Sequence, residues 1–232
     1  MTTTTKKITS EIRFCDDIGL FVMDRKIETS CVHRSEYCKV NCYNNKLMAA
    51  FSAIDAKDDK CEKYWKDLDG KEFTKVINRK RKDTKRFRFC TRGEALSVMA
   101  DIKKIKDIVN SNKDVNFWVP TRAWRNAEMR KVIITELLPI PNLFIQASTD
   151  PSNTQVEVDQ LHLDGFRMMF FGNDKVALTP KGIKPFKCPK TWVTRAKSDP
   201  NRKFKPQCAG CLNGCFGKDR GSKSAVIWLK QH

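Results

Sequence analysis

Three cysteines fall within twelve residues in Cys31-Val-His-Arg-Ser-Glu-Tyr-Cys38-Lys-Val-Asn-Cys42-Tyr43, spaced C-x6-C-x3-C. Thiolates are soft donors, and a clustered set holds a metal ion or an iron–sulfur cluster. Three donors leave one coordination position open to another ligand. His33 could supply a fourth donor, but an imidazole two residues from Cys31 must fold back sharply. A loop histidine is more often solvated or a hydrogen-bonding partner. A second group, Cys188, Cys208, Cys211 and Cys215, is spaced C-x19-C-x2-C-x3-C. Four soft ligands make a closed site for an iron–sulfur cluster, with zinc as the alternative. Gly210, Gly214 and Gly217 let the backbone turn tightly there. The Cys188-Pro189 step favours iron–sulfur, and the single C-x2-C pair is one short of a zinc ribbon. Cys15, Cys61 and Cys90 have no partner at ligand spacing and read as buried thiols.

Side chains alone offer little other chemistry. His162 and His232 belong to no nucleophile–base pattern, and the chain has no phosphate-binding glycine loop or nucleophile elbow. Any catalysis therefore depends on a cofactor. The charge balance is strongly basic, with 45 Lys and Arg against 27 Asp and Glu, a formal +18. Such an excess points to a polyanion, and nucleic acid is the expected partner. No apolar run approaches a membrane span, and the polar start Met1-Thr-Thr-Thr-Thr-Lys-Lys lacks the apolar core of a signal peptide. A cytoplasmic, reduced protein is expected, so the ten cysteines read as ligands before disulfides.

The elements that would position these residues alternate. Ile18–Met23 reads as a strand leading into the first cysteine loop, and residues 44–57 as one helix. Two helices follow, broken at Asp69-Gly70. Arg86-Phe-Arg-Phe-Cys90 alternates as a strand, and Leu96 to Val109 carries a helical stripe. Val115–Val119 reads as a strand ended by Pro120, residues 124–138 as a helix and Asn142–Ala147 as a strand. Val156-Glu-Val158, Phe166–Phe171 and Ala225–Leu229 also read as strands. This βα alternation predicts a parallel sheet with ligands at the carboxyl ends of the strands. Glu94, Thr121, Arg122, Gln146, Ser148 and Thr149 occupy those ends, although Thr121 could instead cap a helix and Arg122 be a surface charge.

The order of these features resembles the radical S-adenosylmethionine enzymes. In that family a three-cysteine loop after the first strand holds a [4Fe-4S] cluster, and a Gly-Gly-Glu-Pro turn after the second grips the methionyl amino group. The resemblance implies Cys31, Cys38 and Cys42 as cluster ligands, with Gly93 and Glu94 at the S-adenosylmethionine. The cysteine spacing is wider than that family's, and Arg92 and Ala95 replace the first glycine and the proline of the turn. The chain is also similar, over roughly residues 18–232, to the phage family called gene product eighty-eight. The likeness lies in the C…C…C-Tyr opening, Phe87–Glu94, Phe117–Arg122, Pro141–Ser148, the late cysteine group and the Ile-Trp-Leu-Lys-Gln-His232 ending. It implies a phage origin and action in an infected bacterial cell, and it supplies no established reaction.

The expected architecture is α/β. A flexible leader (1–10) precedes an incomplete (β/α) barrel of about six strands (11–180) and a cysteine-rich, metal-binding C-terminal extension (181–232). The expected protein is an iron–sulfur protein of radical S-adenosylmethionine type acting on nucleic acid, with one or two [4Fe-4S] clusters. The alternative is a non-catalytic iron–sulfur or zinc protein that binds nucleic acid or serves a structural role.

Overall fold

The computed structural model describes residues 11–51, 53–80, 85–172, 177–188 and 226–229, and singly Thr191, Cys208 and Cys215. The leader 1–10, Cys211, Pro189, His232 and the three late glycines lie outside the described residues.

Strand β1 (Arg13–Cys15) forms a hairpin with β2 (Leu20–Met23). Helices α1 (Ile27–Ser30), α2 (Glu36–Val40), α3 (Tyr43–Ala50), α4 (Ala53–Asp67) and α5 (Gly70–Lys80) lead to β3 (Arg86–Phe89). Helix α6 (Met99–Asn110) connects to β4 (Asn116–Thr121). A 3-10 turn (Ala123–Arg125), α7 (Ala127–Val132) and a π-helical turn (Ile133–Leu137) connect to β5 (Leu143–Thr149). Helix α8 (Gln155–Leu163) precedes β6 (Arg167–Phe171), and β7 (Phe186–Lys187) and β8 (Val226–Leu229) complete the described strands. The sheet order is β1-β2-β3-β4-β5-β6-β8-β7, and every pairing except β1–β2 is parallel.

The α/β class is as expected, and where an incomplete barrel of about six strands was expected the described strands form a mostly parallel sheet that does not close. Among the described residues, eight strands form one open sheet with β1 and β7 at its edges. The extra strands are short: β1 and β7 hold three and two residues, below the length at which alternation can be read. Residues 44–57 are two helices, α3 and the start of α4, not one. Val156–Val158 belongs to α8, where Thr154 and Glu157 form a reciprocal capping box. That S/T-x-x-E signal outweighs the two valines. Strand β4 runs through Pro120 and does not end at it as expected. Its β3 ladder stops at Arg88–Trp118, so the missing proline N–H falls beyond the last β3 pairing.

Alternation along each strand sorts side chains between two faces. Phe87 and Phe89 of β3, Phe117 of β4 and Phe73 of α5 meet on the helical face, with ring centroids 4.8–5.9 Å apart. The other face carries Leu20, Val22, Trp118, Met169 and Ile227, with Cys188, Cys208 and Cys215 packed against it. Cys188, Cys208 and Cys215 of the second cysteine group thus lie on the sheet face that the described helices leave open.

Phe117 is fully buried at the centre of the aromatic cluster. Phe117→Ala should cost about 3–5 kcal/mol in urea unfolding, the range for deleting a buried aromatic side chain. Lys106→Ala, on the surface, should change stability by under about 1 kcal/mol.

Candidate functional site

A cavity of about 320 Å³ opens where the parallel strands end. Cys31, Cys38 and Cys42 line it from the segment after β2. Gly93 and Glu94 line it after β3, Arg122 after β4, and Ser148 from the end of β5. Cys188 and Cys208 line the same cavity. The sequence treats the two cysteine groups as separate sites, whereas the fold turns members of both toward one space.

Three hydrogen bonds fix the first cysteine loop to the strand ends. Ser30 Oγ accepts the Glu94 N–H at 3.0 Å. His33 Nε2 lies 3.0 Å from the Ser97 carbonyl, a backbone partner. Ser35 caps α2 by accepting the Cys38 N–H at 3.0 Å, and its hydroxyl donates to Asp150 at 2.6 Å. Asp150 also pairs with Arg122 at 2.6 Å. One carboxylate therefore couples the cysteine loop to the ends of β4 and β5.

The turn after β3 is held as firmly. Asp24 accepts from the Thr91 N–H, the Thr91 hydroxyl and the Arg92 N–H at 2.6–3.0 Å. The Arg92 guanidinium pairs with buried Asp58 at 2.5 Å, so it serves the turn and not the cavity. Cys90 adopts φ 58°, alone among the described non-glycine residues in having positive φ, and it lines the cavity. A β-carbon in that region is strained, and such strain concentrates at functional sites. Gly93 has φ +78°, and a β-carbon there would stand 2.4 Å from the Arg25 carbonyl oxygen and 2.8 Å from Ser30 Oγ. The turn and the cysteine loop approach each other this closely because position 93 has no side chain.

Glu94 does line the cavity, but both carboxylate oxygens are engaged. Oε1 accepts the Leu96 N–H at 3.1 Å and Oε2 the Arg122 N–H at 2.8 Å. Burial raises its pKa against these hydrogen bonds. Burial also pushes the Cys31 thiol up to about 12, with the Glu94 charge adding to it, and raises Cys38. Cys90, completely enclosed, lies well above the usual thiol value for the same reason. Among the described residues no three His, Cys, Asp or Glu side chains stand close enough together to hold a metal ion in this arrangement. The donor types on the cavity wall fit a soft metal or an iron–sulfur cluster, and the loop thiols must draw together to ligate one.

Three expected residues stand elsewhere. Thr121 accepts the Ala123 N–H at 3.0 Å and bonds the Glu94 carboxyl, and it is not on the cavity wall. Gln146 is fully buried and accepts from Trp118 Nε1 at 2.9 Å. Thr149 is fully buried just before Asp150. Sequence reasoning missed Asn44, Arg88, Trp118 and Asp150. Asp150 had a readable signal: Asp150-Pro-Ser-Asn153 is a turn sequence, and its carboxylate accepts the Ser152 N–H at 3.0 Å.

Gly93→Ala should destabilise the fold by more than about 1 kcal/mol, since it combines positive φ with a backbone clash. Asp24→Asn tests the turn by pH. Burial raises the Asp24 pKa, but Thr91, Arg13 and Arg92 outweigh it and hold the carboxyl below its usual value. A depressed folded pKa gives stability above the unfolded value of about 3.9 that is lost as pH falls through the folded one. Urea melts should show Asp24→Asn weaker by about 3 kcal/mol at pH 7. That gap should close in strong acid.

No curated protein and no solved structure matches the chain. No helix of the described residues is long and apolar enough to cross a membrane. The family model described as Gene product 88 matches residues 5–215, nearly the whole chain. It spans both cysteine groups together with Glu94, Arg122 and Ser148, and the chain belongs to the Gene product 88 family.

Proposed function

We propose that the cavity is the seat of an iron–sulfur cluster held by Cys31, Cys38 and Cys42, and that the protein performs radical S-adenosylmethionine-type chemistry on a nucleic-acid or nucleotide substrate. The observation that carries this reading is the convergence of these three cysteines with Glu94 and Arg122 on one cavity at the strand ends. Open parallel sheets bind ligands there. When bound, the cluster supplies one-electron chemistry that no side chain of the chain can perform.

The chain's own residues then have defined tasks. Ser30, His33 and Ser35 hold the cysteine loop against the strand ends. Ile18, Ile27, Met169 and Phe171 wall the cavity with apolar surface and limit water. Glu94 is the carboxylate that would meet the ammonium of S-adenosylmethionine, and doing so requires it to share its present backbone donors. Cys188, Cys208, Cys211 and Cys215 hold a second cluster or a zinc ion. Family membership suggests a bacteriophage origin, and the +18 charge supports a nucleic-acid partner.

The engagement of both Glu94 oxygens favours a second reading, a non-catalytic iron–sulfur protein that binds nucleic acid. Anaerobic reconstitution with iron and sulfide should give a brown protein absorbing near about 400 nm. Cys31→Ser, Cys38→Ser and Cys42→Ser should each lose iron. A colourless protein that takes up zinc alone contradicts both readings. Dithionite and S-adenosylmethionine should then release 5′-deoxyadenosine, and none from a fully loaded, reduced protein leaves only the second. Affinity for DNA or RNA should fall steeply between low and moderate salt, and a flat salt series removes the nucleic-acid partner.

A further inference from the structure

The cavity has features that the cysteines do not use. Three arginines line it, Arg34, Arg88 and Arg122, against one acidic residue, Glu94. Asp150 pairs with Arg122. Arg88 donates to the Cys90 carbonyl at 3.2 Å, and its guanidinium carbon lies over the Trp118 ring, 4.3 Å from the centroid. Trp118 cannot turn away, because its Nε1 donates to Gln146. The stack thus fixes a planar guanidinium at the cavity wall.

Asn44 adds an independent observation. It lines the cavity beside Cys42 and is only 4 % exposed. Its Oδ1 has no hydrogen-bond partner among the described residues. A buried amide oxygen left without a donor is costly, and it is answered when a ligand supplies one.

We propose that this cavity binds a nucleoside phosphate, with its base stacked at the Arg88–Trp118 pair, its phosphate drawn to Arg34 and an N–H or O–H of the ligand donated to Asn44. The chemistry selects this class. A guanidinium stacked on an indole offers a flat cationic surface to a second aromatic ring. The excess of arginine over carboxylate asks for an anion. The amide asks for a donor, which base edges and ribose hydroxyls both provide. A cavity of about 320 Å³ lies at the small end of ligand sites, which suits one nucleotide better than a polymer. The inference deepens the proposed function by naming the substrate class of the same cavity, and it rests on that reading only for the cavity's being the functional site.

The test uses the full chain as purified under anaerobic conditions, without iron, in equilibrium dialysis. The ligands are the common nucleoside 5′-monophosphates, their nucleosides, inorganic phosphate and S-adenosylmethionine. At least one monophosphate should bind, and its nucleoside should bind more weakly. Arg88→Lys keeps the charge but loses the flat surface, and should weaken the monophosphate and nucleoside alike by about tenfold or more, the loss a base-stacking contact carries. Arg34→Gln should reduce the monophosphate to the affinity of its nucleoside and leave the nucleoside unchanged. Asn44→Ala should weaken both, while Lys106→Gln should change neither.

Circular dichroism checks that each variant is folded, and an unfolded Arg88→Lys is replaced by Arg88→Gln. Binding of inorganic phosphate alone, of S-adenosylmethionine alone, or of nothing overturns the proposal, as does unchanged binding by the folded Arg88 variant. Because no iron is present, a failure here leaves cluster loading and 5′-deoxyadenosine release to be judged separately. A chain that binds nucleotide but never loads iron keeps this inference and loses the other.

Discussion

Three buried carboxylates at the carboxyl ends of the parallel strands hold the site together. Asp24 follows β2, Glu94 lies in the turn after β3, and Asp150 follows β5. Each accepts several hydrogen bonds, mostly from backbone N–H groups and arginines that the ends of the strands would otherwise leave unpaired. Removing water from a carboxylate is costly unless such donors surround it. The loops therefore cannot move apart without exposing a charge to an apolar setting. This constraint makes the cavity a shaped space and not a gap between loops.

The two faces of the sheet divide the remaining work. One buries the phenylalanine cluster under the helices and supplies most of the apolar stabilisation. The other exposes Arg88, Trp118 and Met169 to the cavity and receives Cys188, Cys208 and Cys215. A period of two along β3 and β4 is enough to send Phe87, Phe89 and Phe117 one way and Arg88 and Trp118 the other. The same alternation that folds the chain also equips the cavity.

Much of this was legible in the sequence. The parallel strands, the break at Asp69-Gly70 and the placing of Cys31, Cys38, Cys42, Glu94 and Arg122 near strand ends follow from apolar period and turn residues. Convergence of the two cysteine groups was not legible, because it depends on Cys188 and Cys208 lying against a sheet face far from them in sequence. Asn44 was hidden in an ordinary helical stretch. Arg88 and Trp118 looked like routine alternation, since their stacking arises only from the β3–β4 register. Thr121 read as a ligand because position alone cannot distinguish a strand-end side chain that faces the cavity from one that bonds its own turn and Glu94.

Convergence is also the claim most directly open to measurement. After anaerobic removal of any bound metal, a short reagent that bridges two thiols should be applied to the native chain. Its products should be mapped by peptide mass spectrometry. Bridges between Cys31, Cys38 or Cys42 and Cys188 or Cys208 are the expected result, and they should disappear in urea. Bridges confined within each group, in a protein that remains folded, would contradict the shared cavity.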